Sequence, residues 1–203
     1  PPDDRLLQFT RDMEPQSHCK RVHIHHVDSA GRQLLYQVDR MTTNNTFVAF
    51  ARDGNLEGIK NLVSQGIDPN TTNVAGASAI ELASNNGHRE VVSFLLSQGA
   101  SPDSTTTNPH SSALIYAATN GDLELVQLLV SYGANVNLVD DAYKQTALIW
   151  ACAYGKSVDV VKTLLDAGAD ASIRDANGNT ALVLAEHFGF DEITRVLREH
   201  SSQ

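Results

Sequence analysis

The feature that most constrains the fold is a glycine that returns at an almost constant interval. Five glycines stand 33, 34, 34 and 34 residues apart, at positions Gly54, Gly87, Gly121, Gly155 and Gly189. A second series stands 33, 34 and 35 residues apart, at positions Gly66, Gly99, Gly133 and Gly168. A fixed period of this length is typical of stacked structural repeats, in which each unit contacts only its neighbours. The period therefore predicts a repeat solenoid.

Each unit has the pattern of two helices separated by the first glycine. In the fourth unit, Val161, Leu164 and Leu165 are spaced so that they share one face of a helix. Thr146 opens the unit, where a hydroxyl can cap the first helix, and Gly168 closes the second helix, where a left-handed backbone favours glycine. The sequence therefore predicts an all-α solenoid of short helix, turn, longer helix and polar loop.

The five units resemble the ankyrin repeat. The opening of that repeat, threonine-proline-leucine-histidine, corresponds here to "SAIE", "SALI", "TALI" and "TALV", which lack its proline and histidine. The stretches "GHREVVSFLLSQGASPD" and "GDLELVQLLVSYGANVN" follow the second half of the repeat closely. The resemblance covers residues 46–203. It implies helix-turn-helix units joined by hairpin loops, with a concave surface at which partners usually bind.

The chain is predicted to consist of two parts. Residues 46–203 form the ankyrin-repeat domain, with units at about 46–73, 74–107, 108–141, 142–175 and 176–203. Residues 1–45 form an N-terminal extension, in which "RVHIHHV" and "LLYQV" flank a glycine-containing turn and predict a β-hairpin. The stretch "MTTNNT" is interpreted as a polar linker. Two possibilities stay open: the hairpin packs on the first repeat, or it belongs to a preceding domain.

Histidines of the first predicted strand are the candidates for a metal site. His23 and His25 alternate along the strand and so share one face, a spacing that can chelate zinc. A zinc site needs further ligands, and the sequence identifies none. The favoured alternative is an edge strand with exposed imidazoles. We therefore predict neither a metal nor a cofactor.

The charge distribution narrows the class of partner. Residues 46–203 hold nine Lys and Arg against eighteen Asp and Glu, whereas residues 1–45 hold six of each kind. An acidic body repels phosphate groups, which argues against nucleic acid or an anionic membrane as partner. The cysteines, Cys19 and Cys152, are far apart, and no apolar run is long enough to span a bilayer. These features favour an intracellular protein, cytoplasmic or nuclear.

The candidate binding residues come from two positions of the first helix in each unit. These positions are four residues apart and therefore share a helix face. The first holds Ala49, Leu82, Tyr116, Trp150 and Leu184, and the second holds Asp53, Asn86, Asn120, Tyr154 and Phe188. The face becomes aromatic in units three to five. With the loop tips, the predicted partner-binding residues are Tyr116, Asn120, Tyr143, Lys144, Trp150, Tyr154, His187 and Phe188. For Tyr116 and Trp150, packing between neighbouring helices stays open as the alternative.

The predicted function is a non-catalytic protein–protein interaction module, because no nucleophile elbow, phosphate loop or paired-carboxylate signature occurs in the repeats. Aromatic residues amid polar groups have the composition of binding hot spots. The partner is expected to be a peptide or protein with apolar anchors. Basic residues would flank those anchors, because Asp140, Asp141 and Glu124 lie near the aromatic units.

An alternative function stays open. The chain would then be the substrate-recruiting or targeting arm of a larger multidomain enzyme, either a host signalling enzyme or a bacterial effector. Its catalytic domain would lie upstream, which a start at "PPDD" without methionine favours.

Overall fold

A computed structural model describes residues 22–27, 33–38, 40–104 and 111–201, with side chains described for residues 41–104 and 111–201. The chain divides into two compact units, Pro1–Thr42 and Thr43–Gln203. In the first unit, strands β1 (Val22–Val27) and β2 (Gln33–Val38) pair antiparallel, with Val22 opposite Val38. The alternating apolar pattern therefore predicted the hairpin correctly.

Ten α-helices occur in the described part of the chain. The first helices of the successive repeats are α1 (Arg40–Arg52), α3 (Ala79–Asn85), α5 (Ala113–Asn120), α7 (Ala147–Tyr154) and α9 (Ala181–His187). The second helices are α2 (Leu56–Ser64), α4 (Arg89–Ser97), α6 (Leu123–Ser131), α8 (Val158–Asp166) and α10 (Asp191–His200). Helices α3, α5, α7 and α9 pack side by side, and each also packs on the second helix of its own repeat. This arrangement confirms the predicted all-α repeat solenoid.

The prediction of a linker at "MTTNNT" is wrong, because α1 begins at Arg40 and includes this stretch. Thr43 is buried, and the Asn45 Oδ1 atom accepts a hydrogen bond of 3.0 Å from the Val74 backbone N–H. Threonine and asparagine have low intrinsic helix propensity, so a local pattern does not reveal this helix. Tertiary contacts of this kind stabilise it instead.

The core lies between the first and second helices and continues from repeat to repeat. In the fourth repeat, Leu148 and Ile149 of α7 and Val161 and Leu164 of α8 are almost inaccessible to solvent. The position four residues before the first glycine is alanine in four repeats and is buried in each of them, at Ala83, Ala117, Ala151 and Ala185. This small side chain allows the first helices to approach closely. Trp150 and Tyr154 of α7, and Phe188 directly after α9, lie on a different face.

Both ends of α7 follow the predicted signals. The Thr146 Oγ1 atom accepts a hydrogen bond from the Ile149 backbone N–H, and Ser78, Ser112 and Thr180 cap their helices in the same way. The helix ends at Gly155, whose φ of 62° is in the left-handed region. A Cβ atom at this position would also lie 2.5 Å from the ring of Phe190, which belongs to the next repeat. Gly155 therefore serves both the turn and the contact between repeats.

Polar side chains join the loops of successive repeats. The Asn137 Oδ1 atom accepts a hydrogen bond of 2.8 Å from the Asp170 N–H, and its Nδ2 atom donates one of 3.3 Å to the Gly168 carbonyl. Asn70, at the equivalent position of the first loop, makes the same two bonds with the second loop. These bonds hold the neighbouring loops in register.

Replacing Gly155 with alanine is expected to destabilise the chain more than replacing Gly168. Both substitutions place an L side chain in the left-handed region, at a cost of about 1–2 kcal/mol each. Gly168 has φ of 88° and open space around the added atom, whereas Gly155→Ala also displaces Phe190. Overpacking of this kind adds about 1–3 kcal/mol. Urea unfolding of the two variants measures the difference, and equal losses would contradict the role assigned to Phe190.

Candidate partner-binding surface

A groove opens between helices α7 and α9 and the loop tips beside them. It has a volume of about 460 Å³. Its walls, which we call the aromatic groove, consist of Tyr143, Gln145, Trp150, Ala153, Tyr154, Asp175, Asn177, Asn179, Leu184 and Phe188. The groove therefore belongs to the fourth and fifth repeats.

Three of these aromatic residues are more than half exposed. The exposed fraction is 51% for Tyr154, 52% for Phe188 and 56% for Tyr143. The Lys156 ammonium lies 5.8 Å from the centre of the Tyr154 ring, at cation–π distance. Single exposed apolar residues are common, whereas a contiguous aromatic patch is a candidate for an interaction surface.

Trp150 is half-buried and held on several sides. Its ring stacks on Tyr154, with centroids 5.7 Å apart, and meets Tyr143 edge to face at 6.0 Å. Its Nε1 atom donates a hydrogen bond of 2.9 Å to the Asp140 carboxylate. The residue also packs against the core. Trp150 thus combines the two possibilities that the sequence left open, because a fixed, partly packed ring also lines the groove.

The Asp140 carboxylate organises one wall of the groove. Only 2% of this residue is exposed. Besides the indole N–H, it accepts hydrogen bonds from the backbone N–H groups of Tyr143, at 2.6 Å, and Gln145, at 3.0 Å. A buried carboxylate with three donors is satisfied, and these bonds fix the loop and the indole together.

Of the acidic residues expected near the aromatic units, Asp140 bonds to the Trp150 ring, and the other two pair with basic side chains. Asp140 is buried behind Trp150, Asp141 pairs with Lys144 at 3.6 Å, and Glu124 pairs with Arg89. None of these three carboxylates lines the aromatic groove. The carboxylate that does is Asp175, which sequence reasoning missed.

Asp175 is ionised at neutral pH. Burial opposes its ionisation, but hydrogen bonds to the carboxylate outweigh burial and hold the pKa of Asp175 below its usual value. Its Oδ1 atom accepts from the N–H groups of Asn177 and Asn179, at 2.9 and 2.8 Å, and its Oδ2 atom accepts from the Gln145 Nε2 atom at 3.2 Å. The last bond links the two loop tips, as does a 2.8 Å bond from the Ala176 N–H to the Tyr143 carbonyl.

The other predicted residues lie outside the groove wall. Tyr116 is half-buried on α5, where burial and the nearby Glu81 raise its pKa. Asn120 is exposed and donates a hydrogen bond of 3.1 Å to the Asn85 carbonyl, so it joins α5 to α3. Tyr116 and Asn120 share the helix face of Trp150 and Tyr154 but belong to the third repeat.

Lys144 and His187 are next in sequence to residues of the groove wall but do not line the aromatic groove themselves. Lys144 has a left-handed φ of 57°, at the position that Gly178, with φ of 83°, occupies in the next loop. The His187 ring lies edge-on to Phe188, with centroids 4.9 Å apart. The structure therefore brings together four of the eight predicted residues, namely Tyr143, Trp150, Tyr154 and Phe188.

Metal and thiol chemistry receive no support from the described side chains. Within residues 41–104 and 111–201, no group of three His, Cys, Asp or Glu could hold a metal ion. His23 and His25 lie on β1, and their side chains are outside the described part, so that candidate stays a prediction. Cys152 is fully buried, and burial raises the pKa of its thiol to about 12. None of the described helices has the length and apolar character needed to cross a membrane.

The fold and the groove define a helical repeat protein with a surface suited to protein partners. Residues 26–106, 46–140, 82–175 and 114–203 match the family model described as ankyrin repeats in three copies. The chain therefore belongs to the ankyrin-repeat family, which is a general protein–protein interaction module. It is also similar to ankyrin repeat domain-containing protein 39 of Homo sapiens, with 41% identity over 56 residues. That match covers 28% of this chain and 31% of the relative.

Replacing Asp140 with alanine is expected to destabilise the chain by about 2–4 kcal/mol, because three partly buried hydrogen bonds lose their acceptor. The emission of the single tryptophan is expected to shift to longer wavelength as the indole loosens. Asp141→Ala is the matched control, since Asp141 is exposed and its ion pair with Lys144 contributes little. Urea unfolding followed by tryptophan fluorescence measures both effects. Similar stability of the two variants would rule out the organising role of Asp140.

Proposed function

We propose that this chain is a non-catalytic interaction module that binds a peptide or protein partner in the aromatic groove, on the concave face of the repeat stack. The observation that supports this most directly is the group of exposed rings, Tyr143, Tyr154 and Phe188, around a fixed tryptophan. Aromatic residues of this kind are enriched among the residues that contribute most to binding energy.

Covering the exposed rings with a partner contributes favourably to the free energy of binding. About half of the surface of Tyr154 and of Phe188 is exposed to solvent. Covering a large apolar side chain contributes about 1.5–3 kcal/mol when it is complete, and aromatic pairing adds about 0.5–1.5 kcal/mol. Because Asp140 already holds Trp150, a partner loses little energy to ordering that side chain.

The polar residues of the groove are suited to a peptide backbone. Gln145, Asn177 and Asn179 present amide groups beside the aromatic rings. An apolar centre with a rim of hydrogen-bonding groups is the usual anatomy of a protein interface. The partner in this proposal has apolar anchors, with basic residues beside them, and neither nucleic acid nor membrane is the target. The site of action is intracellular, in the cytoplasm or nucleus.

Chemical catalysis is not part of the proposal. The titratable groups of the groove wall are two tyrosines and Asp175, and the Asp175 carboxylate already accepts hydrogen bonds from its own loop. Among these lining residues there is no nucleophile with an adjacent base, which enzymes with covalent intermediates require.

The double variant Tyr154→Ala/Phe188→Ala is expected to lose partners that wild type retains in affinity capture from cell lysate. Both side chains are about half exposed, so the fold should tolerate their loss, and circular dichroism checks this. Tyr132→Ala is the matched control, because Tyr132 is 46% exposed but does not line the groove.

The expected loss is about tenfold or more in captured partner, since removing two hot-spot rings costs at least about 1–2 kcal/mol. The control should capture the same partners as wild type. Partners kept equally by the double variant and lost by Tyr132→Ala would place the binding surface on another face.

A further inference from the structure

Asp175 makes the loop bonds that an asparagine makes elsewhere in the chain and in addition carries a negative charge. In the first loop, the Asn73 Oδ1 atom accepts hydrogen bonds of 3.0 and 2.9 Å from the N–H groups two and four residues later. The Asp175 Oδ1 atom makes the same two bonds, at 2.9 and 2.8 Å, and both loops contain a left-handed glycine, at Gly76 and Gly178. Because a neutral amide supports the turn at residue 73, these two bonds do not by themselves require a charge. The second oxygen, Asp175 Oδ2, accepts from the Gln145 and Asn179 side chains, at 3.2 and 3.3 Å.

That charge lies in a groove wall that contains no cation. Among the lining residues that the structure describes, Asp175 is the charged group, and none is Lys or Arg. The nearby Lys156 lies over Tyr154, and Arg174 donates a hydrogen bond of 2.7 Å to the Gly178 carbonyl. Charge complementarity therefore favours a positive group on the partner.

The aromatic surface beside Asp175 is also suited to a cation. Tryptophan binds cations best among the aromatic side chains. The Trp150 N–H donates to the buried Asp140 carboxylate, and such a bond increases the electron density of the indole ring. Gln145 joins the two parts, since its N–H donates to Asp140 and its side chain donates to Asp175. An electron-rich ring and a carboxylate thus line the same groove.

Building on the proposed function, we infer that the aromatic groove receives an arginine side chain of the partner, with the guanidinium on the Trp150 ring and close to the negative charge of Asp175. Arginine fits this pair better than lysine does. Its planar guanidinium stacks on aromatic faces, and it is more weakly hydrated than an ammonium group, so it enters a partly buried site more readily. The apolar anchors of the same partner then cover Tyr154 and Phe188.

The test begins with a phage library of random short peptides, selected on the full chain. Peptides that fail to bind Tyr154→Ala/Phe188→Ala are groove binders. The best groove binder is synthesised with arginine and with citrulline, which has nearly the same shape but no charge. Their dissociation constants are measured from the fluorescence of the single tryptophan.

We expect arginine in the groove binders, and we expect citrulline to weaken binding to wild type by roughly tenfold, the range of a partly desolvated cation–π contact. Asp175→Asn, which keeps an acceptor for the loop as Asn73 does, should make that difference smaller, because the negative charge near the guanidinium is then absent. Circular dichroism checks its fold, and the citrulline comparison on wild type stands without this variant.

Groove binders without arginine, or equal affinity for the arginine and citrulline peptides, would overturn the inference while leaving the proposed function intact. A library that yields peptides but no groove binder would overturn both.

Discussion

The rest of the structure depends on the burial of each repeat against its neighbours. One pair of short helices cannot cover its own apolar face, so α7 relies on α5 and α9 as well as on α8. The residues that make these contacts are closely constrained, as the row of buried alanines shows. In the fifth repeat, the position occupied by buried Cys152 in the fourth is Glu186, which is exposed and pairs with Arg198. The face that carries Trp150 and Tyr154 is less constrained, because only some of its residues, such as Trp150 and Asn120, make contacts that support the stack.

A buried carboxylate holds the Trp150 part of this face in a fixed position. Asp140 accepts hydrogen bonds from two backbone N–H groups and from the Trp150 indole, so one side chain positions a loop tip and a ring together. Asp175 has the corresponding place in the next loop, and its lowered pKa keeps it negative at neutral pH. The two loops are joined through Gln145 and through the backbone of Tyr143 and Ala176. The aromatic groove therefore needs both the fourth and the fifth repeat, because neither repeat contains all of its walls.

The fold could be predicted from the sequence because the features that specify it are local and recur in every repeat. These signals can be recognised without knowledge of tertiary contacts. Examples are the interval between Gly121 and Gly155 and the apolar spacing of Val161, Leu164 and Leu165. The aromatic groove could be predicted only in part. Spacing along α7 shows that Trp150 and Tyr154 share a face, but it does not reveal the bond from Trp150 to Asp140, ten residues earlier in a loop. Asp175 was missed for the same reason, although its counterpart Asn73 was a usable signal. The helix over "MTTNNT" escaped prediction because contacts distant in sequence stabilise it.

The most direct test of the account is photo-crosslinking from inside the groove. The photoreactive amino acid p-benzoylphenylalanine replaces Tyr154 in one version of the chain and Tyr132 in another, since both side chains are tyrosines of similar exposure. Irradiation in cells and mass spectrometry then identify what each position contacts. The account predicts a discrete partner joined to position 154, through a segment with apolar residues, and no such product at position 132. The same product from position 132, with none from position 154, would contradict the assignment of the aromatic groove as the binding surface.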